Sequence, residues 1–375
     1  MRVFVPLLVL GLLSSTAQAG DVKVFGDIRV GYFSAERDDR DGSTNITDEG
    51  RVRLRLGVKG KLSDSLEAKV RFAGRYSTDD RNDNYFEVFE SIPSGDGLRR
   101  GDSTLDTIQM KYRLPNKGSV TFGRMQTKLE LDGVAKKSLD RNDSPNTDIN
   151  WTDGIYLQTP VFDGWKLHAI AQYNPASGST ELRRKPLDFS DSDSRASYFV
   201  ALEKKSKTGL WAQRGIDVTY LPSALQKDGS ADGRIEDYWA VVGRTAMRWP
   251  LSSRGDSFML GAEAGFASEA PTNEAVSLPG TGDAGKNAYQ LTFNWLNFVP
   301  KQSIGLVVGR ADAGWLLSPD FRSNTDLIEL RYKWAISKTN KLEARIRQRE
   351  DAEMRDGAFK AREDEDFYIR YTYKF

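Results

Sequence analysis

Basic side chains recur at every second position in several stretches of the sequence. In residues 51–56 arginine alternates with valine or leucine, so an extended chain places Arg51, Arg53 and Arg55 on one side. A guanidinium is permanently charged and donates hydrogen bonds in a fixed geometry, so a row of them can replace the water around an oxyanion. The predicted chemistry is therefore non-covalent handling of anions. The predicted anion pathway consists of Arg51, Arg53, Arg55, Lys69, Arg71, Arg75, Lys111, Arg113, Arg331, Arg345, Arg347, Arg349 and Arg370.

Residues suited to catalysis or metal binding are scarce. The 375 residues include no cysteine and one histidine, which excludes disulfides, thiolate nucleophiles and sites rich in Cys or His. His168 could act as a base with Ser197 as a neighbouring nucleophile, but we expect His168 to line the pore. No Gly-x-Ser-x-Gly, His-Glu-x-x-His or phosphate-binding glycine loop occurs. The sequence predicts no enzyme, no metal and no cofactor.

Segments of about ten residues with alternating polarity position the basic side chains. Residues 51–61 are the clearest example, and the turn at 63–65 separates them from the next such segment. The pattern predicts sixteen strands, which begin near residues 22, 51, 66, 104, 119, 150, 165, 194, 210, 235, 256, 287, 303, 325, 341 and 366.

The connections between these strands alternate in length. The short ones carry turn residues and lie near 63–65, 115–118, 161–164, 206–209, 251–255, 299–302 and 336–340. The long ones lie near 35–50, 77–103, 127–149, 175–193, 222–234, 268–286, 315–324 and 351–365. This alternation predicts an all-β fold, a sixteen-stranded antiparallel transmembrane β-barrel with short periplasmic turns and long extracellular loops. Five tryptophans fall beside the short turns, as expected of an aromatic girdle: Trp165, Trp211, Trp249, Trp295 and Trp334.

Both ends of the chain carry a predicted targeting signal. Residues 1–19 combine a basic start, an apolar core and a small-x-small site, which predicts a signal peptide, with the barrel in residues 20–375. The final strand alternates polar and apolar residues and resembles the terminal strand of bacterial outer-membrane barrels. The resemblance implies an insertion signal made of Phe367, Ile369, Tyr371, Tyr373 and Phe375.

Two hairpins extend the resemblance. Residues 51–72 look like the second hairpin of Gram-negative outer-membrane porins, and so do residues 153–160 with 164–173. The similarity is to the broad group of putative porins, phosphate-selective porins and alginate-export barrels. It implies a pore in the outer membrane, with lipid, lipopolysaccharide and small hydrophilic solutes as partners and no nucleic acid. It identifies no specific solute, and leaves monomer or homotrimer open.

One long loop is expected to fold into the barrel and narrow it. Loop 127–149 is the third long loop, the position of the constriction loop in general porins, and it carries Glu130, Asp132, Asp140 and Asp143. These carboxylates would then face the basic side chains of the predicted anion pathway, which are called the basic wall below. The alternatives are an extracellular flap, or the longer loop 77–103 in the same role.

Three functions fit these features. The first is a general porin with an anion bias, in which replacement of wall arginines by glutamine would leave folding intact. The second is a dedicated channel for a phosphate-like anion or for uronate and polysaccharide export. The third is a structural or sheath barrel around a partner.

Overall fold

The computed structural model describes residues 22–78, 104–140, 152–174, 195–228, 235–253, 255–318 and 320–375. The predicted signal peptide 1–19 lies outside them, as does nearly all of loop 77–103. The strands are β1 (Lys23–Asp38), β2 (Thr44–Lys61), β3 (Leu66–Ser77), β4 (Thr104–Arg113), β5 (Ser119–Met125), β6 (Thr152–Pro160), β7 (Trp165–Asn174), β8 (Arg195–Lys205), β9 (Trp211–Gln226), β10 (Ile235–Pro250), β11 (Ser257–Ala267), β12 (Asn287–Val299), β13 (Gln302–Ala311), β14 (Thr325–Trp334), β15 (Asn340–Asp351) and β16 (Glu363–Lys374).

These strands form one closed antiparallel barrel. Each strand pairs with its neighbours in the chain, and β1 closes the ring against β16, with Ile28 opposite Tyr373 and Asp38 opposite Glu363. Closure leaves no free edge among the strands described here. The prediction of a sixteen-stranded antiparallel barrel is confirmed, and most strand starts lie within two residues of the predicted ones.

The two faces of the barrel differ in polarity. On β12, Leu291, Phe293 and Trp295 are exposed on the outside, whereas the alternate residues Gln290 and Asn294 are buried inside. The outer surface is therefore apolar, as expected of a strand surface that faces lipid. The five tryptophans predicted to form a girdle lie in strands beside the short turns.

No helix among the described residues has the length and apolar character to cross a membrane.

The hairpin between β1 and β2 differs from expectation. The predicted loop 35–50 contracts to a tight turn, in which the Asp39 amide donates to the Ser43 carbonyl at 2.8 Å. Strand pairing continues to Asp38 opposite Thr44 because polar residues on a barrel rim can extend a ladder into solvent. The turn is held by Arg40, which forms two hydrogen bonds of 2.6 and 2.7 Å with Asp351 at the end of β15.

Candidate functional site

The basic side chains of β2 and β3 point into the barrel, where carboxylates pair with them. Arg53 Nη2 lies 2.6 Å from Asp27 Oδ1. Asp106 accepts hydrogen bonds from Nε and Nη2 of Arg71, both at 2.8 Å, and lies 3.2 Å from Arg55 Nε. A bulge explains this contact: the β3–β4 register shifts next to Arg71, so Asp106 is the extra residue and turns inward.

The basic side chains of β15 and β16 are paired with carboxylates in the same way. Asp366 bonds both Arg345 and Arg347, the latter at 2.6 Å from Nε. Arg370 Nη2 lies 2.6 Å from Glu343 Oε1, which also accepts a hydrogen bond from Tyr368.

The remaining members of the predicted pathway occupy more varied positions. The Arg51 guanidinium lies 3.6 Å from the centre of the Phe33 ring, and Lys69 Nζ lies 4.9 Å from that of Phe25. Arg331 is buried, with Glu329 Oε1 at 2.5 Å. The others stand near strand ends or on the strand face: Arg113 lies 3.6 Å from Glu67, Arg349 lies 4.0 Å from Asp364, and Lys111 is half-buried. The side chain of Arg75 lies outside the described residues.

The buried pairs change the expectation for the wall arginines. Asp106 is 0% exposed, so glutamine at Arg55 and Arg71 would leave its carboxylate buried without a cation. Removing one partner of a buried ion pair costs about 3–5 kcal/mol. We therefore expect the triple variant Arg53→Gln, Arg55→Gln, Arg71→Gln to lower the melting temperature of the folded barrel in a gel heat-shift assay.

A compensated variant provides the control for that experiment. Adding Asp27→Asn and Asp106→Asn to the triple variant removes the stranded carboxylates and should recover most of the lost stability. If the triple variant melts like the wild type, the pairs contribute nothing and the original expectation of intact folding stands.

Residues 126–140 leave β5 and run inside the barrel; this segment is called the inner loop below. Leu129 packs against Ile170 and Phe199 of β7 and β8. Leu131 packs against Ala246 and Met259 of β10 and β11. Apolar side chains at alternate positions therefore seat the inner loop on this side of the barrel.

Amide side chains of the wall hold the backbone of the inner loop. Gln213 of β9 donates to the Glu130 carbonyl at 2.9 Å and accepts from the Asp132 amide at 2.6 Å. Asn294 of β12 accepts from the Val134 amide at 2.7 Å. Further along the loop, Arg331 donates to the Ala135 carbonyl at 3.0 Å and Trp315 to the Leu139 carbonyl at 2.8 Å. The loop is thus anchored over several strands.

Two inward glycines make room for this approach. A Cβ at Gly305 of β13 would lie 2.7 Å from Val134 Cβ, and one at Gly261 of β11 would lie 3.2 Å from Leu131 Cδ2. The wall is also linked to the loop by Lys137, whose Nζ lies 2.9 Å from Glu329 Oε2.

Arg244 of β10 holds the end of the inner loop. Its Nη2 bonds Asp140 of the loop and Asp217 of β9, and lies 3.2 Å from Glu263 Oε1 of β11. Its Nη1 donates to the Leu129 carbonyl at 2.7 Å. Three carboxylates and both ends of the inner loop therefore converge on one guanidinium.

The carboxylates of this loop are not placed as the sequence suggested. Asp140 is buried rather than directed at the basic wall, because Arg244 binds it in the packed interior. Glu130 is also buried, on the side of the loop away from the flanking leucines. Asp132 is half-buried, 3.8 Å from Lys205 of β8. Asp143 lies outside the described residues. The exposed charged side chains of the loop are instead Lys128 and Lys136.

His168 belongs to a small polar cluster on the inner face. Its Nδ1 lies 2.7 Å from the Tyr156 hydroxyl and its Nε2 lies 4.0 Å from Glu203. In the β7–β8 register His168 stands opposite Ala201, whereas Ser197 stands opposite Gln172, so the two candidate residues are not neighbours. No group of three or more His, Asp or Glu residues within the described segments is arranged to hold a metal ion.

Four residues of the predicted insertion signal lie on the outer face of β16, and the fifth, Phe375, follows directly after it. Each is more than a third exposed, and Tyr373 and Phe375 bring their rings together at 6.1 Å. The Phe375 amide donates to the Gly26 carbonyl at 3.1 Å, and the Gly26 amide donates to the Phe375 carbonyl at 3.0 Å. The last residue thus completes the β1–β16 seam.

Comparison with known proteins gives one family and many related folds. A family model described as Gram-negative porin matches residues 7–375. The structure of OprB from Pseudomonas putida is 13% identical, with 94% of each chain covered and a TM-score of 0.62. An anion-selective porin from Comamonas acidovorans is 15% identical, with 95% of this chain and 99% of that chain covered and a TM-score of 0.54. No curated protein matches at a significant level.

Proposed function

This chain belongs to the Gram-negative porin family, and we propose that its lumen carries small hydrophilic solutes by passive diffusion, with a preference for anions. A porin-type channel in the outer membrane follows from the family and the fold. The anion preference and the role of the inner loop as the constriction are the proposed parts. The inner loop crosses the barrel interior, and we propose that the open path runs between it and the basic wall.

The exposed lysines of the inner loop are the observation that supports an anion preference. Lys128 and Lys136 are exposed while Glu130 and Asp140 are buried, so the loop presents ammonium groups to the remaining space. On the basic wall across that space, Lys69 of β3 is half-buried, whereas Arg53 is 5% exposed and paired with Asp27. A solute passing between them meets basic groups on both sides.

Fixed charges act on ions over short distances. At physiological ionic strength the Debye length is about 8 Å, so a narrow lumen keeps a passing ion within reach of both surfaces. Paired arginines contribute less field than isolated ones, because the bound carboxylate cancels much of their charge. Lys69 and Lys136, for which no ion pair is seen in the described structure, should therefore influence selectivity more than Arg71.

The selectivity prediction concerns these two lysines. In a KCl gradient we expect the wild type to show an anion-preferring reversal potential. The double variant Lys69→Gln, Lys136→Gln should lower the anion-to-cation permeability ratio by about threefold or more, because two lumen charges are replaced by shorter, neutral side chains that still form hydrogen bonds. Lys207→Gln, in the exposed β8–β9 turn, should leave the ratio unchanged. A cation-preferring wild type would overturn the proposal.

A dedicated anion channel is the second candidate. It is supported by the arginines of the basic wall, whose guanidinium groups donate hydrogen bonds in a fixed geometry. A selective site would show as a concentration-dependent block of chloride current by phosphate or glucuronate, whereas a general porin would conduct both without saturation. We further propose residues 1–19 as a cleaved signal peptide and lipopolysaccharide as the lipid neighbour of the long-loop rim.

A further inference from the structure

Glu130 occupies an unusual place on the inner loop. Its neighbours in sequence, Leu129 and Leu131, both pack against the wall. The Glu130 backbone carbonyl is bonded by Gln213 of the same wall. Because consecutive side chains of an extended segment point to opposite sides, the Glu130 side chain leaves the loop on the side away from this wall.

One oxygen of the Glu130 carboxylate is buried without a hydrogen-bond partner. The residue is 7% exposed, and its Oε1 receives no hydrogen bond from any described residue. A buried carboxylate that lacks donors is much more stable as the neutral acid. Burial raises the pKa of Glu130 to about 7.

Charged groups surround this carboxylate from several elements. Lys128 and Lys136 act on it from the inner loop, Lys333 from β14, and Asp320 from the segment before β14. On the opposite side of the loop, Gln213 separates it from Glu203 of β8, which lies 3.2 Å from Lys205. Three of the four charged groups that act on Glu130 are thus ammonium groups, which Glu130 would oppose when ionised.

We propose that Glu130 makes the ion selectivity of this pore depend on pH, by adding or removing one negative charge beside the exposed lysines of the inner loop. The inference rests on the proposed anion preference. When Glu130 is protonated, it carries no charge that opposes Lys128 and Lys136, and the pore has its strongest anion preference. When Glu130 is ionised, its charge cancels part of their field.

The direction of the effect follows from the raised pKa. A carboxyl group whose pKa is higher in the folded protein favours the folded arrangement at low pH, and that contribution is lost as the pH rises through the folded value. Because the pKa of Glu130 is about 7, this group becomes ionised mostly between about pH 6 and pH 8.

Reversal potential in a KCl gradient, measured from pH 5 to pH 9, tests this proposal. The wild type should lose anion preference by about threefold as the pH rises, with a midpoint near 7. Glu130→Gln, which resembles the neutral acid, should keep the acidic value at every pH. Glu130→Ala should do the same and serves if the glutamine variant does not fold.

Two control variants separate Glu130 from other groups. His168→Asn removes the side chain that ordinarily titrates near neutrality and should leave the step unchanged. Asp132→Asn removes another carboxylate of the inner loop and should also retain the step. A step that persists in Glu130→Gln, or an anion-preferring wild type without a step, would overturn the inference while leaving the proposed function intact. A cation-preferring pore that still shows the step would overturn the proposed function alone.

Discussion

Replacing Arg244 with methionine is expected to release the inner loop and enlarge the pore. The change removes the cation from three buried carboxylates, Asp140, Asp217 and Glu263, and removes the hydrogen bond to the Leu129 carbonyl. Leaving buried charge unpaired costs about 3–5 kcal/mol, and the loop end can relieve it by moving Asp140 into water. Single-channel recordings should therefore show larger unit conductance than wild type, with more frequent fluctuations.

Arg310→Met is the matched control for this experiment. Arg310 also pairs with a carboxylate, Asp326, through two hydrogen bonds of 2.7 and 2.5 Å, but both side chains are well exposed. An exposed pair contributes about 0–1 kcal/mol, so this variant should conduct like the wild type. Unchanged conductance in Arg244→Met would mean that the inner loop does not limit the current.

Changing Phe375 to aspartate is expected to reduce the amount of assembled protein in the outer membrane by about tenfold or more. Phe375 is 46% exposed on the apolar outer surface, where a carboxylate would meet lipid. Its backbone also forms two hydrogen bonds with Gly26 at the seam that joins the two ends of the barrel. Immunoblots of fractionated outer membranes, with unheated samples to report the folded form, would measure the loss.

Phe359→Asp tests whether any lost phenylalanine would have this effect. Phe359 is 81% exposed in the segment between β15 and β16, away from the strand ladder. We expect wild-type levels of this variant. Equal levels of both variants would show that the terminal residue carries no special part of the insertion signal.

Much of the fold could be predicted because a barrel repeats one simple rule. Each strand alternates lipid-facing and inward residues. The pattern in segments such as 51–61 therefore predicts both the length of the strand and which side chains face inward. The rule fails where a rim strand continues into polar sequence. The hairpin at 39–43 and the start of β16 at Glu363 were missed because their residues are polar on both faces.

The interior was harder to predict because its pairs join residues far apart in sequence. Asp106 turns inward through a bulge, which alternation alone cannot reveal. Asp364 and Asp366 lie at or before the predicted start of β16, so the wall was expected to be far more positive than it is. Alternation alone gives no sign that the neutral inward residues Gln213 and Asn294 anchor the inner loop. Inward glycines such as Gly305 were the available signal of close approach.

The way the inner loop is anchored has a consequence for how pores of this kind can diverge. Gln213, Asn294 and Trp315 recognise amides and carbonyls of the loop, which every residue type except proline offers alike. Substitutions at the exposed positions of the loop, such as Lys128 and Lys136, therefore leave these attachments untouched. The side chains at those positions can therefore change during evolution while the loop stays attached to the barrel. The solutes that a pore admits can diverge without a change in the barrel itself.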